Sequence, residues 1–416
     1  MKELFVCVFG RNRDNYEVPI ALLEADILDC LVTDFYYDDR SCIASAIPSK
    51  LKERQHPALP KSSTMNVYPS FLLQLLFSAA KLPLSRIYPT SDRILGAAAA
   101  VRAFVTGSHL YGYAGYSIPK WIPLTNRAHI LFQYHPHPAY MQSILRADLA
   151  AHPEASWSFE NEEDSTADAS DARYSDWKRA DFIVCASATT KRSLLFAGCP
   201  EEKISVIPYG FDRTGACAAY PQETAAECRF LFVGQGIQRK GLHHLIKAWN
   251  SANIPNASLT LVCYRIDPGI ECLIDPARRV TLLRRQTPAE LDQHYAQSDV
   301  FIMPSLIEGF GLVYLEALQR GCFVIGTENT GLSDLDLSHD CHELVEAGNI
   351  ESIRAALMRA STRHAARGFD RASIAENADR RPVAVFRRDI VEHAQSVLRG
   401  YRVGRMRRSS AARIEL

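Results

Sequence analysis

The sequence predicts two α/β domains, each a parallel sheet covered by helices. Three observations predict it. The chain has 416 residues, 47% of them hydrophobic, which is more than one ordinary core holds and enough for two. Each half alternates short apolar runs with runs of helical periodicity, the pattern of βαβ units. The ends of the strand-like runs carry glycines, histidines, cations and carboxylates, and open parallel sheets gather their chemistry at the carboxyl ends of their strands.

In the first half Leu4–Phe9 and Leu28–Asp34 read as strands and Tyr16–Ala25 and Tyr68–Ala80 as helices. Phe104–Thr106 and His129–Tyr134 continue the strands, the second ending in His135-Pro136-His137-Pro138. From Glu154 to Asp176 the composition turns acidic and small, as in a solvated helix end or loop. Asp181–Ser187 is a buried strand followed by a helix through Phe196, and Ile204–Pro208 another strand; the small-residue segment Arg213–Glu227 is the expected linker. The second half repeats the pattern: strands Phe230–Val233, Leu259–Cys263, Val280–Leu283 and Val300–Met303, with helices through Trp249 and over Pro288–Gln297 and Leu312–Arg320. Glu343–Val345, a helix Ile350–Ala360, a polar segment Ser361–Arg381 and a terminal helix Val383–Leu398 follow, then an arginine-rich tail.

Composition narrows the function classes. Lys plus Arg equals Asp plus Glu at 47 each, so no global field calls for nucleic acid or an anionic membrane. Eleven cysteines lie scattered without a Cys-x-x-Cys pair or a zinc-like Cys/His cluster, and their odd number argues against a closed disulfide framework; a reducing cytoplasm is the expectation. No stretch reaches the roughly 18 apolar residues of a spanning helix. The run Phe71–Leu84 is broken by Gln74, Lys81 and Pro83, and its stretch Phe71–Lys81 fits a core helix or, with Arg86, a lipid-linked acceptor and peripheral contact at the inner face of a membrane.

Two stretches carry chemistry. Between Asp299 and Gly331 a strand is stopped by Pro304, a loop sets Glu308 between Ser305 and two glycines, and a helix bears Glu316. Gly309 and Gly311 lack a Cβ, so backbone amides there approach a ligand at the positive end of a helix, where an anion fits. Phe232–Gly241 is a glycine turn between strand and helix. It fails as a dinucleotide fingerprint, since Arg239 stands where the third glycine belongs, and as a phosphate loop, since Gly-Lys-Ser/Thr is missing. What remains is a turn presenting Arg239 and Lys240 at a helix start, suited to a diphosphate.

Read together, strand, Gly234-x-Gly236, Lys240-Gly241, helix, then strand, Ser305, Glu308-Gly309-Phe310-Gly311 and Glu316 resemble the nucleotide-sugar half of retaining glycosyltransferases of the GT-B fold, glycosyltransferase family 4. Ala180–Ser187, Gly198–Ile204 and Ile207–Asp212 are similar to that family's run into its interdomain linker, so the resemblance covers about residues 180–335. Gln235 stands where much of the family has an arginine, and Thr330–Asp334 departs from its Gly-Gly-x-x-Glu segment.

The resemblance implies Rossmann-like acceptor and donor domains over 1–205 and 206–382 facing across a cleft, and a terminal helix 383–400 crossing back to the first; the arginines beyond it read as a basic tail 401–416. It implies a retaining, metal-independent transfer from a UDP- or GDP-sugar to a carbohydrate or lipid-linked acceptor in cell-envelope polysaccharide or glycolipid synthesis, without cofactor or nucleic acid. Arg239 and Lys240 would hold the diphosphate, Glu308 the transferred sugar's hydroxyls and Glu316 the ribose, with the amides from Gly309 and Phe310 to Gly311 and Leu312 completing the cradle. Gly10 and Gly234 would let the backbone near the donor, and Arg285, with Tyr264 and Arg284, would lie near the base. His135 ends the strand that resembles the one carrying the family's active-site histidine; His137 is its rival, one register step away. Tyr111 and Tyr113 would line the acceptor cleft or pack between domains. His109, His243 and His244 read as structural or surface residues. A hydrolase or phosphorylase-like enzyme of the same fold, a non-catalytic nucleotide-sugar binder and, third, an oxidoreductase are the alternatives.

Overall fold

The computed structural model describes residues 3–38, 47–82, 87–116, 118–119, 122, 124, 126–157, 172–212 and 227–414. The expected linker, 213–226, and most of the acidic stretch, 158–171, lie outside them, as does Arg86.

Among the described residues two parallel sheets form. The first has seven strands: β1 (Phe5–Val8), β2 (Leu28–Thr33), β3 (Thr64–Asn66), β4 (His109–Tyr113), β5 (His129–Gln133), β6 (Phe182–Cys185) and β7 (Ile204–Val206), in the order β3-β2-β1-β4-β5-β6-β7. The second has six: β8 (Cys228–Val233), β9 (Ala257–Val262), β10 (Val280–Leu283), β11 (Val300–Ile302), β12 (Phe323–Thr327) and β13 (His342–Val345), in the order β10-β9-β8-β11-β12-β13. In each sheet the first strand is central and the order reverses beside it, between β1 and β4 and between β8 and β11, so a crevice opens there at the strand ends. The central strands are apolar on both faces because helices cover both; Phe5–Val8 and Val300–Ile302 are wholly buried.

Phe104–Thr106 is not a strand. It is the last turn of a helix, Tyr88–Thr106, which ends at Gly107 in the left-handed region (φ 75°), a common helix stop. The strand follows at His109–Tyr113, which places Tyr111 and Tyr113 in the middle of the sheet with 0% exposure. Neither stacks against a sugar in the cleft; both rings are core, packed near Phe5 and Phe9 respectively.

The polar segment Ser361–Arg381 is helical for most of its length: one helix, Ile350–Arg367, runs into it, and a second, Arg371–Ala378, is capped by Asp370. Arg371 is buried and donates to the carbonyls of Ala296 and Arg320, tying that helix to the ends of two others.

The terminal helix is a single element, Val383–Ile414, longer than the expected end at Leu398. It turns back to the first sheet: Phe386, Ile390, Ala394, Val397 and Leu398 are buried. Phe386 meets Phe132 and Tyr209, and Arg387 donates to Glu17 (2.6 Å) and Glu24 (2.8 Å). Among the described residues no helix is long and apolar enough to cross a membrane.

Candidate active site

Two loops of the second domain build one side of the site. One leaves β8 as the turn Gly234–Gly241, with Gln238–Lys240 forming a 3-10 turn before the helix Leu242–Ala252. The other leaves β11 and reaches the helix Leu312–Gln319 through Met303–Gly311. β8 and β11 are neighbours, Val300 opposite Phe230, so the loops emerge side by side at the reversal. They are sewn together: the Leu306 amide donates to the Arg239 carbonyl (2.9 Å). Gly241 has φ 68°, and a Cβ there would stand 2.0 Å from the Pro304 carbonyl oxygen, so only glycine fits.

Arg239 and Lys240 converge on one carboxylate oxygen. Arg239 Nη1 donates to Glu308 Oε2 at 2.8 Å and Lys240 Nζ to the same atom. All three side chains are largely shielded, at 12%, 15% and 7% exposure. Burial alone would push the Glu308 carboxyl up; the charges of Arg239 and Lys240 and the Lys240 hydrogen bond more than reverse it and hold it well below the usual carboxylate range.

The carboxyl's ordinary value is 4.5 and its folded value lies lower, so over that interval the unfolded chain binds the extra proton. The stabilisation from Glu308 is therefore present above about pH 4.5 and lost as pH falls through the folded value. Glu308→Gln is expected to lower stability at pH 7 by about 1–3 kcal/mol, because two shielded cations lose their counter-charge. In urea titrations across pH, its gap from wild type should narrow below about pH 4.5; a gap independent of pH would contradict the pairing.

The first domain meets this point at the end of β5. Gly309 lies against it so closely that a Cβ would stand 2.0 Å from the Tyr134 carbonyl oxygen and 3.3 Å from His135 Cα. The Gly309 carbonyl accepts from Ser187 Oγ and from Thr190 Oγ1 (3.2 Å), and the Ala188 amide donates to Asp334 (3.0 Å). The run Ala186–Thr190 is thus a docking edge between domains, a role the sequence did not display.

His135 is exposed, while His137 is buried. His137 caps the helix Pro138–Ala151, its Nδ1 accepting from the Ala139 amide (3.3 Å) while its own amide donates to Ser193 Oγ (2.7 Å). Of the two rivals, His135 is the one beside the charged cluster. Enclosure by the walls, then Arg239, push its imidazole below 6.5; Glu308 opposes, and Arg13 and Lys240 add to the fall. The direction of the shift leaves His135 neutral at pH 7.

The remaining expected residues are placed as follows. Phe310 is buried against Tyr209, and Gly311 has φ 92° at the start of the helix that Leu312 opens. Glu316 accepts from Tyr295 Oη (2.9 Å), and burial pushes its carboxyl up. Gly10 is buried at the end of β1, beside Leu95 and Tyr116. Gly234 has no outside neighbour that a Cβ would strike closely; Gly236 does, at 2.5 Å from Ile266 Cγ1. Arg285 and Tyr264 are both exposed, the guanidinium 5.6 Å from the ring centre, while Arg284 is paired with Glu271.

Sequence reasoning passed over a second charged group at the end of β1. Arg11 lies 3.2 Å from Asp92 and over the Tyr88 ring, and Arg13 lies over the Tyr134 ring at 4.3 Å. The loop that presents them holds Arg11, Asp14, Asn15 and Tyr16 at φ 46–66°, a strain that clusters at functional sites. The sequence shows it as a charged turn after the first strand without marking it as part of the site.

Residues 227–363 match the family model for glycosyl transferases group 1. This stretch is similar to the group 1 glycosyl transferases. It contains Arg239, Lys240, Glu308 and Glu316. Curated relatives include the O-antigen chain mannosyltransferase RfbU of Salmonella typhimurium, 27% identical over 172 residues, 39% of this chain and 45% of that one. A second is the GDP-mannose-dependent alpha-(1-6)-phosphatidylinositol monomannoside mannosyltransferase of Mycolicibacterium smegmatis, 27% identical over 202 residues, 43% of this chain and 52% of that one. The chain spans about half the length of the curated relatives it matches. Over nearly its full length the chain is similar in fold to solved glycosyltransferases. Anabaena HepE in complex with UDP and glucose has a TM-score of 0.55 at 16% identity, covering 95% of this chain and 100% of that one. WaaG, a glycosyltransferase involved in lipopolysaccharide biosynthesis, has 0.56 at 14%, covering 94% and 99%. The matched stretch thus lies in the six-stranded half of a two-sheet GT-B architecture.

Proposed function

We propose that the protein is a retaining, metal-independent glycosyltransferase that moves a sugar from a nucleoside-diphosphate sugar to a hydroxyl acceptor in cell-envelope polysaccharide or glycolipid synthesis. The observation that carries the reading is the convergence of Arg239 and Lys240, from one turn at the sheet reversal, on a single point of the cleft. A diphosphate bound there exchanges with Glu308 for the two cations, and Glu308 turns to the sugar's hydroxyls. As the glycosidic bond breaks, negative charge grows on the leaving diphosphate, and the cations stabilise it without a metal. The amides that open the helix Leu312–Gln319 add to this, and Glu316 takes the ribose hydroxyls. The acceptor hydroxyl approaches on the face from which the diphosphate departs and gives its proton to a phosphate oxygen, so configuration is retained. Neutral His135 offers a hydrogen bond to a sugar hydroxyl beside the anomeric carbon. Interdomain contact at Gly309 excludes water and so suppresses hydrolysis of the donor.

The donor is proposed to be a UDP- or GDP-sugar, with Tyr264 and Arg285 nearest the base, and no cofactor is required. A thermal-shift panel of nucleoside diphosphates and their sugars identifies it, since a ligand that binds only the folded chain raises its melting temperature. Release of free nucleoside diphosphate only in the presence of acceptor is the expected result. Equal release without acceptor would establish a hydrolase, and binding without release a sugar-nucleotide binder.

The helix Tyr68–Ala79 supports a lipid-linked acceptor at the cytoplasmic face of a membrane. It has no charged residue and turns Tyr68, Leu72, Leu75 and Leu76 outward on one face, Leu76 at 65% exposure. Replacing Leu72 and Leu76 together by glutamate is expected to reduce flotation with anionic vesicles at least several-fold while leaving the folded melting temperature unchanged. Unchanged flotation would remove the membrane from the proposal.

A further inference from the structure

Between the sheets, away from Glu308, one carboxylate of the first domain receives three hydrogen bonds from the second. Asp148, near the end of the helix Pro138–Ala151, accepts from Gln238 Nε2 (2.7 Å), His243 Nε2 (3.1 Å) and His244 Nε2 (2.6 Å). Gln238 also donates to the Leu145 carbonyl (2.8 Å). Both histidines have 0% side-chain exposure and Asp148 has 6%. At the rim, His152 and Glu154 of the first domain meet Lys247 of the second.

Two histidines and a carboxylate invite a metal, and their ligand atoms do lie within 4.8 Å of one another. The rest of the rings argues otherwise. A metal on Nε2 requires Nδ1 to carry the proton, and metal-bound histidines almost always donate that N–H to a partner. Here Nδ1 of both His243 and His244 is buried without a hydrogen-bond partner. With the proton on Nε2, each ring instead donates to Asp148 and leaves only a bare lone pair at Nδ1, the less costly arrangement.

The position of this cluster gives it a consequence. Gln238 directly precedes Arg239 and Lys240 in one 3-10 turn, and His243 and His244 begin the helix that follows. The helix bearing Asp148 starts at the His137 cap, two residues after His135. One helix of the first domain therefore begins beside the histidine of the cleft and ends gripping the turn that carries its cations.

We propose that Asp148 is a positioning residue for sugar transfer: by accepting from Gln238, His243 and His244 across the domain boundary, it holds the Arg239–Lys240 turn in register with the first domain. The proposal rests on the transferase reading above. Asp148 touches no substrate. Its loss leaves the donor domain able to bind nucleotide but lets the cations drift relative to the acceptor side.

The test is Asp148→Asn in the full chain, an isosteric change that removes the charge and turns an amide N–H₂ toward donors. Two readouts are taken. In small-angle scattering the radius of gyration should rise as the domains part, a result independent of any activity. With the donor identified, kcat should fall roughly 10–100-fold, as expected for a misplacement of about 1 Å, while calorimetric Kd for the nucleoside diphosphate changes less than threefold. Glu154→Gln, which cuts the rim pair with Lys247, should leave kcat unchanged. Should Asp148→Asn fail to fold, His244→Leu keeps the carboxylate and removes one donor, with the same split expected at smaller size. A wild-type radius and kcat, or kcat and Kd worsening together, would overturn the proposal. So would a stoichiometric metal that copurifies with wild type and is lost from Asp148→Asn. If wild type itself transfers no sugar, the transferase reading fails, and the scattering comparison still decides whether Asp148 holds the domains together.

Discussion

Lys240→Ala is expected to lower kcat for sugar transfer roughly 10²–10³-fold, the range seen when one preorganised donor to a developing negative charge is removed. Lys240 and Arg239 act on the same oxygen of Glu308 and, by the reading proposed here, on the same leaving diphosphate. Binding of the intact donor, which already carries its charge, should weaken far less than turnover, because the interaction that grows with bond breaking is the one lost. Initial rates of nucleoside diphosphate release with acceptor give kcat, and calorimetry gives the donor Kd. Arg239→Lys should also be poorly active despite keeping the charge, since an ammonium lacks the planar fork of the guanidinium. Full turnover by Lys240→Ala would show that the diphosphate is not held here.

Gly309→Ala should cost about as much, through sterics alone. The added methyl would lie 2.0 Å from the Tyr134 carbonyl oxygen and 3.1 Å from its carbon, and these are backbone atoms that no rotamer change can move. Relief requires the loop and the end of β5 to part by on the order of 1 Å, enough to cost about 10²-fold in rate when reacting groups must meet across that gap. Nucleotide affinity should be nearly unchanged, because the cations and the helix start belong to the same domain as Gly309. A wild-type rate for Gly309→Ala would mean that chemistry takes place with the domains farther apart than they stand in this structure.

The donor side was legible because its parts are short and contiguous. Phe232–Gly241 and Asp299–Gly331 each hold strand, loop and helix within one window, so the glycines and charges could be read in place. The acceptor side was harder for identifiable reasons. Phe104-Val105-Thr106 has strand-like residues but continues a helix begun at Tyr88, and with the strand placed there Tyr111 and Tyr113 read as lining a cleft or packing between domains when they are core. His135 and His137 could be separated only by the cap that His137 makes. Arg11–Asp14 reads as a charged turn after the first strand, but nothing in it foretold the left-handed conformations it takes without glycine. Asp148 was invisible for another reason: its partners lie 90 to 96 residues away, and a lone aspartate in an amphipathic helix looks like surface.

The last helix also has a bearing on how the molecule is made. Phe386, Ile390, Ala394, Val397 and Leu398 complete the core of a domain whose sheet is finished by Val206. On the ribosome the seven-stranded domain emerges first, yet an apolar flank stays bare until nearly 200 further residues are made, a stretch that includes the whole second sheet. The half translated later is thus the half able to finish folding first, and a chain stalled before Phe386 would present an unclosed apolar surface to chaperones and proteases.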